Sequence, residues 1–263
     1  MEIAIQQPDD PRLRDFVALR DAQLRTSIEA AGGLFIAEGH KIIRRASAAG
    51  CRPRSFLLQE RWIPGLADVL AAWPEVPCYI ASGALIEKVS GFHVHRGALA
   101  SFERPEQTSW EQLLESRRLI VCEDLVDHAN LGGIIRVAAG LGWDGVVLSP
   151  GAADPLYRRA IKASMGASLS VPWRRMAGAD DLRRLRDAGF RLVAATLRPG
   201  AHPLDDYDAP EKVALLLGTE GHGLSDAWSA AADDAVTIPM TDQVDSLNVA
   251  TAAAILAYAL RRR

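Results

Sequence analysis

Three short blocks in the second half of the chain gather residue types suited to gripping a small polar ligand. Asn130-Leu131-Gly132-Gly133-Ile134-Ile135-Arg136 leaves a strand and enters a helix. Its glycines let the backbone approach a partner closely. Asn130 and Arg136 can converge on a hydroxyl or a phosphate, and the rigid guanidinium fork suits a phosphodiester. Leu217-Gly218-Thr219-Glu220-Gly221-His222-Gly223-Leu224-Ser225 runs from a strand into a glycine-rich turn, where a ligand can touch main chain while Glu220 braces the turn. It is not a P-loop, because no Lys-Ser or Lys-Thr follows its last glycine, and it lacks the G-x-G-x-x-G dinucleotide fingerprint. Ile238-Pro239-Met240 and Ser246-Leu247-Asn248-Val249 flank a polar loop between a strand end and a helix start, where backbone N–H and C=O groups are exposed. Each block also has a purely architectural reading. Asn130, Ser225 and Ser246 can serve as helix N-caps, Arg136 as a surface ion-pair partner, and the glycines as a tight turn. Lys162-Ala163-Ser164-Met165-Gly166-Ala167 reads as a helix ending that presents Lys162 and Ser164 outward and packs Met165 in the core.

The elements that position these blocks follow from hydrophobic periodicity. In the first hundred residues, helical spacing covers Asp15 to Ile28, Lys41 to Ala49, Asp68 to Trp73 and Ala84 to Ser90, the last capped by Ser82. Extended segments are expected at Leu34–Ala37, Ser55–Leu58, Pro77–Ile80 and Gly97–Ser101, which makes a small α/β module. Residues 103–109 are polar, contain a proline and read as a linker. Apolar strands at Leu119–Cys122, Gly145–Leu148, Phe190–Ala195, Val213–Leu217 and Ala235–Ile238 then alternate with helices. That pattern predicts a parallel sheet covered on both faces, with ligands at the carboxyl ends of its strands. Pro239 closes the last strand, and Val249, Ala253, Leu256 and Leu260 recur at helical spacing after it.

Composition narrows the classes. The chain has 263 residues, 30 Lys and Arg against 33 Asp and Glu, and no apolar run long enough to span a membrane. No basic stretch followed by an apolar one opens it, so no secretory signal is expected. Cys51, Cys78 and Cys122 are odd in number and far apart, which argues against a disulfide framework or a zinc site and for a reducing cytoplasm. His93 and His95 stand two apart with no Cys or acid spaced to complete a metal site, so no metal is expected. A balanced charge means that any RNA contact must be local. Lys41, Arg44, Arg45, Arg52, Arg54, Arg158, Arg159 and Lys162 are the candidates, whereas Arg183, Arg184 and Arg186 read as a solvated face and Arg261–Arg263 as a helix end charged favourably against its dipole.

Taken together and in order, the blocks N-x5-R, A-S-x-G-A, L-G-x-E-G-x-G-L, I-P-M and S-L-N-V resemble the SpoU/TrmH family of RNA 2′-O-ribose methyltransferases, within the SPOUT superfamily. Phe35-Ile36-Ala37-Glu38-Gly39 and Gly97-Ala98-Leu99-Ala100 are similar to the opening and closing segments of that family's L30e-like substrate-binding domain. The resemblance implies an α/β fold in two domains: residues 1–105 binding RNA, and residues 110–263 forming a parallel-sheet methyltransferase domain with a C-terminal trefoil knot. It implies S-adenosylmethionine as cofactor, cradled by Thr196, Leu197, Leu217, Gly218, Thr219, Glu220, Gly221, Ile238, Met240, Ser246 and Leu247. It implies a homodimer acting in the cytoplasm on structured RNA, rRNA before tRNA. Asn130, Arg136, Glu220, Ser246 and Asn248 match the catalytic positions, with Arg136 as a phosphate clamp, Asn130 orienting the ribose and Asn248 bracing the knot loop. RNA contact falls to Lys41, Arg44, Arg45, Arg136 and Lys162, the last standing where many relatives carry arginine. The alternative is an RNA- or ribosome-binding protein of the same fold that has lost catalysis. Retention of the five polar positions speaks against it.

Overall fold

The computed structural model describes residues 1–20, 29, 32–94 and 97–261. The chain divides into two compact units, Met1–Pro105 with Leu156–Lys162, and Glu106–Pro155 with Ala163–Arg263. In the first unit, strands β1 (Glu2–Ala4), β2 (Leu34–Glu38), β3 (Pro53–Leu58), β4 (Cys78–Ile80) and β5 (Ala98–Glu103) form one sheet in the order β1-β4-β3-β5-β2. β5 runs antiparallel to β2 and β3, and the remaining pairs are parallel. Phe35 and Phe102 stack 5.3 Å apart on this sheet, with Phe56 edge-on to Phe102. Helices α1 (His40–Ala48), α2 (Ile63–Ala72) and α3 (Gly83–Ser90) belong to this unit. As expected, the Ser82 hydroxyl caps α3 by accepting the Leu85 N–H, and Gly91 ends the helix at φ +78°.

α2 starts at Ile63 rather than Asp68, because Pro64 in its first turn fits a helix N-terminus. The helix expected from Asp15 is not continuous: Pro11–Phe16 is a 3-10 turn capped by Asp10, and residues 17–20 form turns. The rest of that segment, 21–28, lies outside the described residues, as do His95, Arg262 and Arg263. β1 is an edge strand of three residues, too short for periodicity to reveal.

The second unit carries seven parallel strands in the order β10-β12-β9-β11-β6-β7-β8. Here β6 is Arg118–Cys122, β7 Gly145–Leu148, β8 Trp173–Arg175, β9 Arg191–Ala195, β10 His202–Pro203, β11 Val213–Leu217 and β12 Asp234–Thr237. β7 and β11 are buried along their whole length, as their unbroken apolar runs require. The unit's helices are α4 (Trp110–Leu114), α5 (His128–Leu141), α7 (Asp180–Asp187), α8 (Asp226–Ala231) and α9 (Val249–Ala259), whereas α6 (Arg158–Ala163) belongs to the first unit except for Ala163. α5 packs closely on α9: a Cβ on Gly133 would stand 3.1 Å from the Ala250 Cβ, and Trp143 donates to the Ala257 carbonyl at 3.1 Å. Glycine at 133 therefore serves helix–helix approach. Ser164 is buried at 1% exposure and Met165 is 39% exposed, the reverse of the expectation. Met165 and Gly166 both adopt positive φ after α6, so the chain turns left-handed and swings the methionine out.

Candidate active site

The strand order places β12, β9 and β11 side by side, so their carboxyl ends open on one rim. The loops leaving them enclose a cleft of about 760 Å³. Every residue expected to cradle the cofactor lines it: Thr196 and Leu197 after β9, Leu217 to Gly221 after β11, and Ile238, Met240, Ser246 and Leu247 after β12.

The glycine-rich block is a miniature hairpin. Thr219 and Gly223 exchange backbone hydrogen bonds at 3.0 Å in both directions, and Gly221 and Gly223 adopt φ of +86° and +68°. A Cβ on Gly218 would lie 2.1 Å from the Gly223 carbonyl carbon and 2.2 Å from the Leu224 nitrogen, so only glycine lets the turn close. From below, the buried Glu123 carboxylate accepts the Ser225 N–H at 2.8 Å, and the Ser225 hydroxyl caps α8 through the Trp228 N–H, as expected of that serine.

The hairpin's tip carries Glu220 into a three-residue cluster. Asn130 donates to the Glu220 Oε1, and Asn248 donates to that same oxygen at 3.1 Å and to the Asn130 Oδ1 at 3.0 Å. Two amides thus converge on one carboxylate oxygen, and three segments distant in sequence are tied together at the cleft. Asn130 stands in the first turn of α5, whose N-cap is Asp127, accepting the Ala129 and Asn130 N–H groups at 2.9 and 2.8 Å. Asn130 is therefore not the cap, and its side chain is free for the cluster. Ser246 is not the cap of α9 either. Asn248 is: its Oδ1 accepts the Ala250 N–H at 2.9 Å and the Thr251 N–H at 3.3 Å, while its Nδ2 serves the cluster. Ser246 lies exposed on the wall of the cleft.

Arg136 is not brought to this cleft. Six residues along a helix from Asn130 is a rotation of about 240°, and Arg136 instead borders a separate concavity of about 1260 Å³ with Gly133, Ile255 and Tyr258. It is exposed and has no hydrogen-bond or ion-pair partner among the described residues.

Two residues that sequence reasoning did not single out complete the rim. Arg198 donates to Asp226 at 2.7 Å, joining the loop after β9 to the start of α8, and His222 lines the cleft at the hairpin tip. His222 sits inside a motif already recognised, so position was the available signal; Arg198 carries none. Cys122 ends β6 wholly buried. Desolvation pushes its thiol up to about 12, so it stays neutral and supplies no nucleophile. Among the described residues no group of three or more His, Cys, Asp or Glu could hold a metal ion. His93 pairs with Glu87 at 3.0 Å.

Of the residues assigned to RNA, Arg44 is already engaged: it grips Asp68 at 2.5 and 2.7 Å and the Gly65 carbonyl at 2.6 Å, bracing α1 on α2. Lys162 pairs with Glu38 at 3.2 Å, an acid it shares with Arg158. Lys41 and Arg45 are exposed on α1.

A parallel α/β sheet with its ligand cleft at the ends of adjacent strands, closed by the chain that follows β12, is the architecture of the SPOUT class of methyltransferases. Residues 117–258 match the SpoU rRNA methylase family, and the chain belongs to that family. It is 43% identical over 256 residues to an uncharacterised tRNA/rRNA methyltransferase of Mycobacterium bovis, covering 95% of this chain and 88% of that one. It is 28% identical over 258 residues to the 23S rRNA (guanosine(2553)-2′-O)-methyltransferase of Bacillus subtilis, covering 98% of both. The fold superposes with a TM-score of 0.84 at 25% identity on an S-adenosylmethionine-bound rRNA methyltransferase from Sinorhizobium meliloti, covering 99% of this chain and 97% of that one.

Proposed function

We propose that the protein transfers a methyl group from S-adenosylmethionine to a ribose 2′-hydroxyl of structured RNA, ribosomal RNA before transfer RNA, in the cytoplasm. The Asn130–Glu220–Asn248 cluster, two of whose members line the cleft, carries this reading, because a fold serving RNA binding alone has no use for it. The cleft suits the cofactor. Leu197, Leu217, Ile238, Met240 and Leu247 offer apolar walls for an adenine, and Thr196, Ser246 and the hairpin backbone offer polar contacts. A threaded C-terminus, with the segment after β12 passing through the loops it packs against, accounts for three loops sharing one ligand.

S-adenosylmethionine supplies a methyl group on a cationic sulfur. The chain's own residues must place the hydroxyl in line with it and receive the hydroxyl proton. Both amides bind Oε1 of Glu220, and its Oε2 has no hydrogen bond among the described residues, leaving it as an acceptor for a ribose hydroxyl. Asn130 holds that carboxylate and orients the sugar, while Asn248 ties the cluster to the start of α9. Arg136 clamps a phosphate of the target nucleotide. Its placement away from its own chain's cleft supports a homodimer in which Arg136 of one protomer serves the cleft of its partner. Ile255 at 38% and Tyr258 at 56% exposure, beside Arg136, give that pairing an apolar face. Residues 1–105 form the RNA-binding domain, with Lys41, Arg45 and, from α6 in the same unit, Lys162 as contacts, and residues 110–263 form the methyltransferase domain. Titration calorimetry with S-adenosylmethionine tests the first step: saturable one-site binding, lost in Gly218→Ala, supports the reading, and no binding to the wild type refutes it.

A further inference from the structure

The first unit holds a cleft of about 400 Å³ where β3 and β4 begin and β5 ends, and four arginines line it: Arg12, Arg14, Arg52 and Arg54. Two of them are committed. Arg12 donates to Asp10 through Nε and Nη2 at 2.9 and 2.6 Å and lies 5.9 Å from the centre of the Tyr79 ring. Arg54 donates through Nε to Asp15 at 3.0 Å, and Asp15, only 8% exposed, is held in turn by the Ser101 hydroxyl at 2.7 Å. The other two are not. Arg14 and Arg52 stand 3.9 Å from their nearest carboxylates, Asp15 and Glu103, too far for a hydrogen bond, and their side chains are 80% and 65% exposed. Asp10 and Asp15 thus fix two guanidiniums as walls, and two forks stay open on different segments, one on the 3-10 turn and one just before β3, in a cleft that Glu75 and Glu103 also line.

We propose that this arginine cleft binds the phosphodiester backbone of RNA, with Arg14 and Arg52 as the contacting groups. The assignment rests on the methyl-transfer reading for its choice of RNA, and adds a grip distinct from the methyl-transfer cleft. Open guanidinium forks match phosphate oxygens bidentately. No aromatic face is offered for a base, since Tyr79 is 7% exposed. The contact is therefore with backbone and independent of sequence: it positions the RNA without specifying it.

The test measures binding of a fluorescently labelled transcript of 23S ribosomal RNA across a range of NaCl concentrations. Wild type is compared with Arg14→Glu/Arg52→Glu and with a charge-matched control, Arg183→Glu/Arg184→Glu on α7. Each lost phosphate contact flattens the log–log salt dependence by about 0.7 to 0.9, so the cleft variant loses about 1.5 in slope and at least about tenfold in affinity at low salt. S-adenosylmethionine binding is unchanged, and the control keeps the wild-type slope. Arg14→Lys/Arg52→Lys, which retains the charge and cannot disturb the fold by reversing it, keeps most of the slope. A cleft variant with wild-type slope and affinity overturns the proposal while leaving methyl transfer standing. So does calorimetric binding of inorganic phosphate that the cleft variant abolishes with the RNA slope unchanged, the mark of a free-anion site. A wild type that binds no RNA overturns both readings.

Discussion

Asn248 does two jobs with two ends of one amide, and they can be separated by substitution. Its Oδ1 caps α9 and its Nδ2 ties Glu220 to Asn130. Asn248→Ala removes both. Loss of the cap costs about 1 kcal/mol, which for a unit of this size lowers Tm by about 2 to 4 °C. Asn248→Ser keeps an oxygen at the cap, where serine ranks with asparagine, but removes the amide donor without adding charge. A hydrogen bond to a charged group contributes about 1.5 to 3 kcal/mol when buried, and the exposure of this cluster argues for the low end. Since about 1.4 kcal/mol is a factor of ten in rate, turnover of both variants falls at least about tenfold. The assay pairs thermal melts with single-turnover methylation at saturating S-adenosylmethionine. Serine is expected to match wild type in Tm and alanine in rate. An Asn248→Ser enzyme with wild-type turnover would refute the role of the cluster, and an unshifted Tm in Asn248→Ala would refute the cap.

Further outcomes follow from other parts of the molecule. Gly218→Ala drives a Cβ into the backbone of Gly223 and Leu224, so S-adenosylmethionine affinity falls at least about tenfold. Gly140→Ala, with open space at the same atom and a helical site, is neutral or stabilises by about 0.5 to 1 kcal/mol; calorimetry and melts read both. If Arg136 serves the partner's cleft, Arg136→Ala and Glu220→Gln, each inactive alone, regain activity when mixed and refolded together, because a mixed dimer holds one intact site; no recovery refutes the shared site. The Asp234 carboxyl is held below its usual range, first by the Arg191 guanidinium and also by the Tyr207 hydroxyl, and the Tyr207 phenol is pushed up, first by burial and then by Asp234. A depressed carboxyl stabilises the fold above its unfolded pKa of about 4 and loses that contribution as pH falls through the folded value. The stability gap between wild type and Arg191→Ala, seen in urea melts, is therefore full at pH 7 and closes below about pH 4; a gap constant down to pH 2 contradicts it.

Burial decided what was legible in the sequence. β7 and β11 match their apolar runs to the residue because both faces of a central strand need apolar side chains. β8 and β10, at the two edges of the same sheet, escaped notice: Trp173-Arg174-Arg175 and His202-Pro203 have one neighbour each and no apolar period to display. In the site, residue types were readable and geometry was not. Ser246 and Asn248 are both good caps, and only the backbone path after Met240 decides between them. Asn130 and Arg136 look like one motif in sequence, yet helical rotation sends Arg136 to a separate concavity, away from the cluster that Asn130 joins. Met165 reads as core, and two successive left-handed residues turn it out to solvent.

Transfer of a methyl group from the cleft at β9, β11 and β12 to a ribose hydroxyl can be read directly in the product. The direct measurement incubates the purified protein with methyl-labelled S-adenosylmethionine and ribosomal RNA from a strain lacking the gene, then digests the RNA to nucleosides for mass spectrometry. Label is expected in a single 2′-O-methylnucleoside, absent when Asn130→Ala replaces the wild type. Label on a base, or no label in RNA from a wild type that binds S-adenosylmethionine, would contradict it.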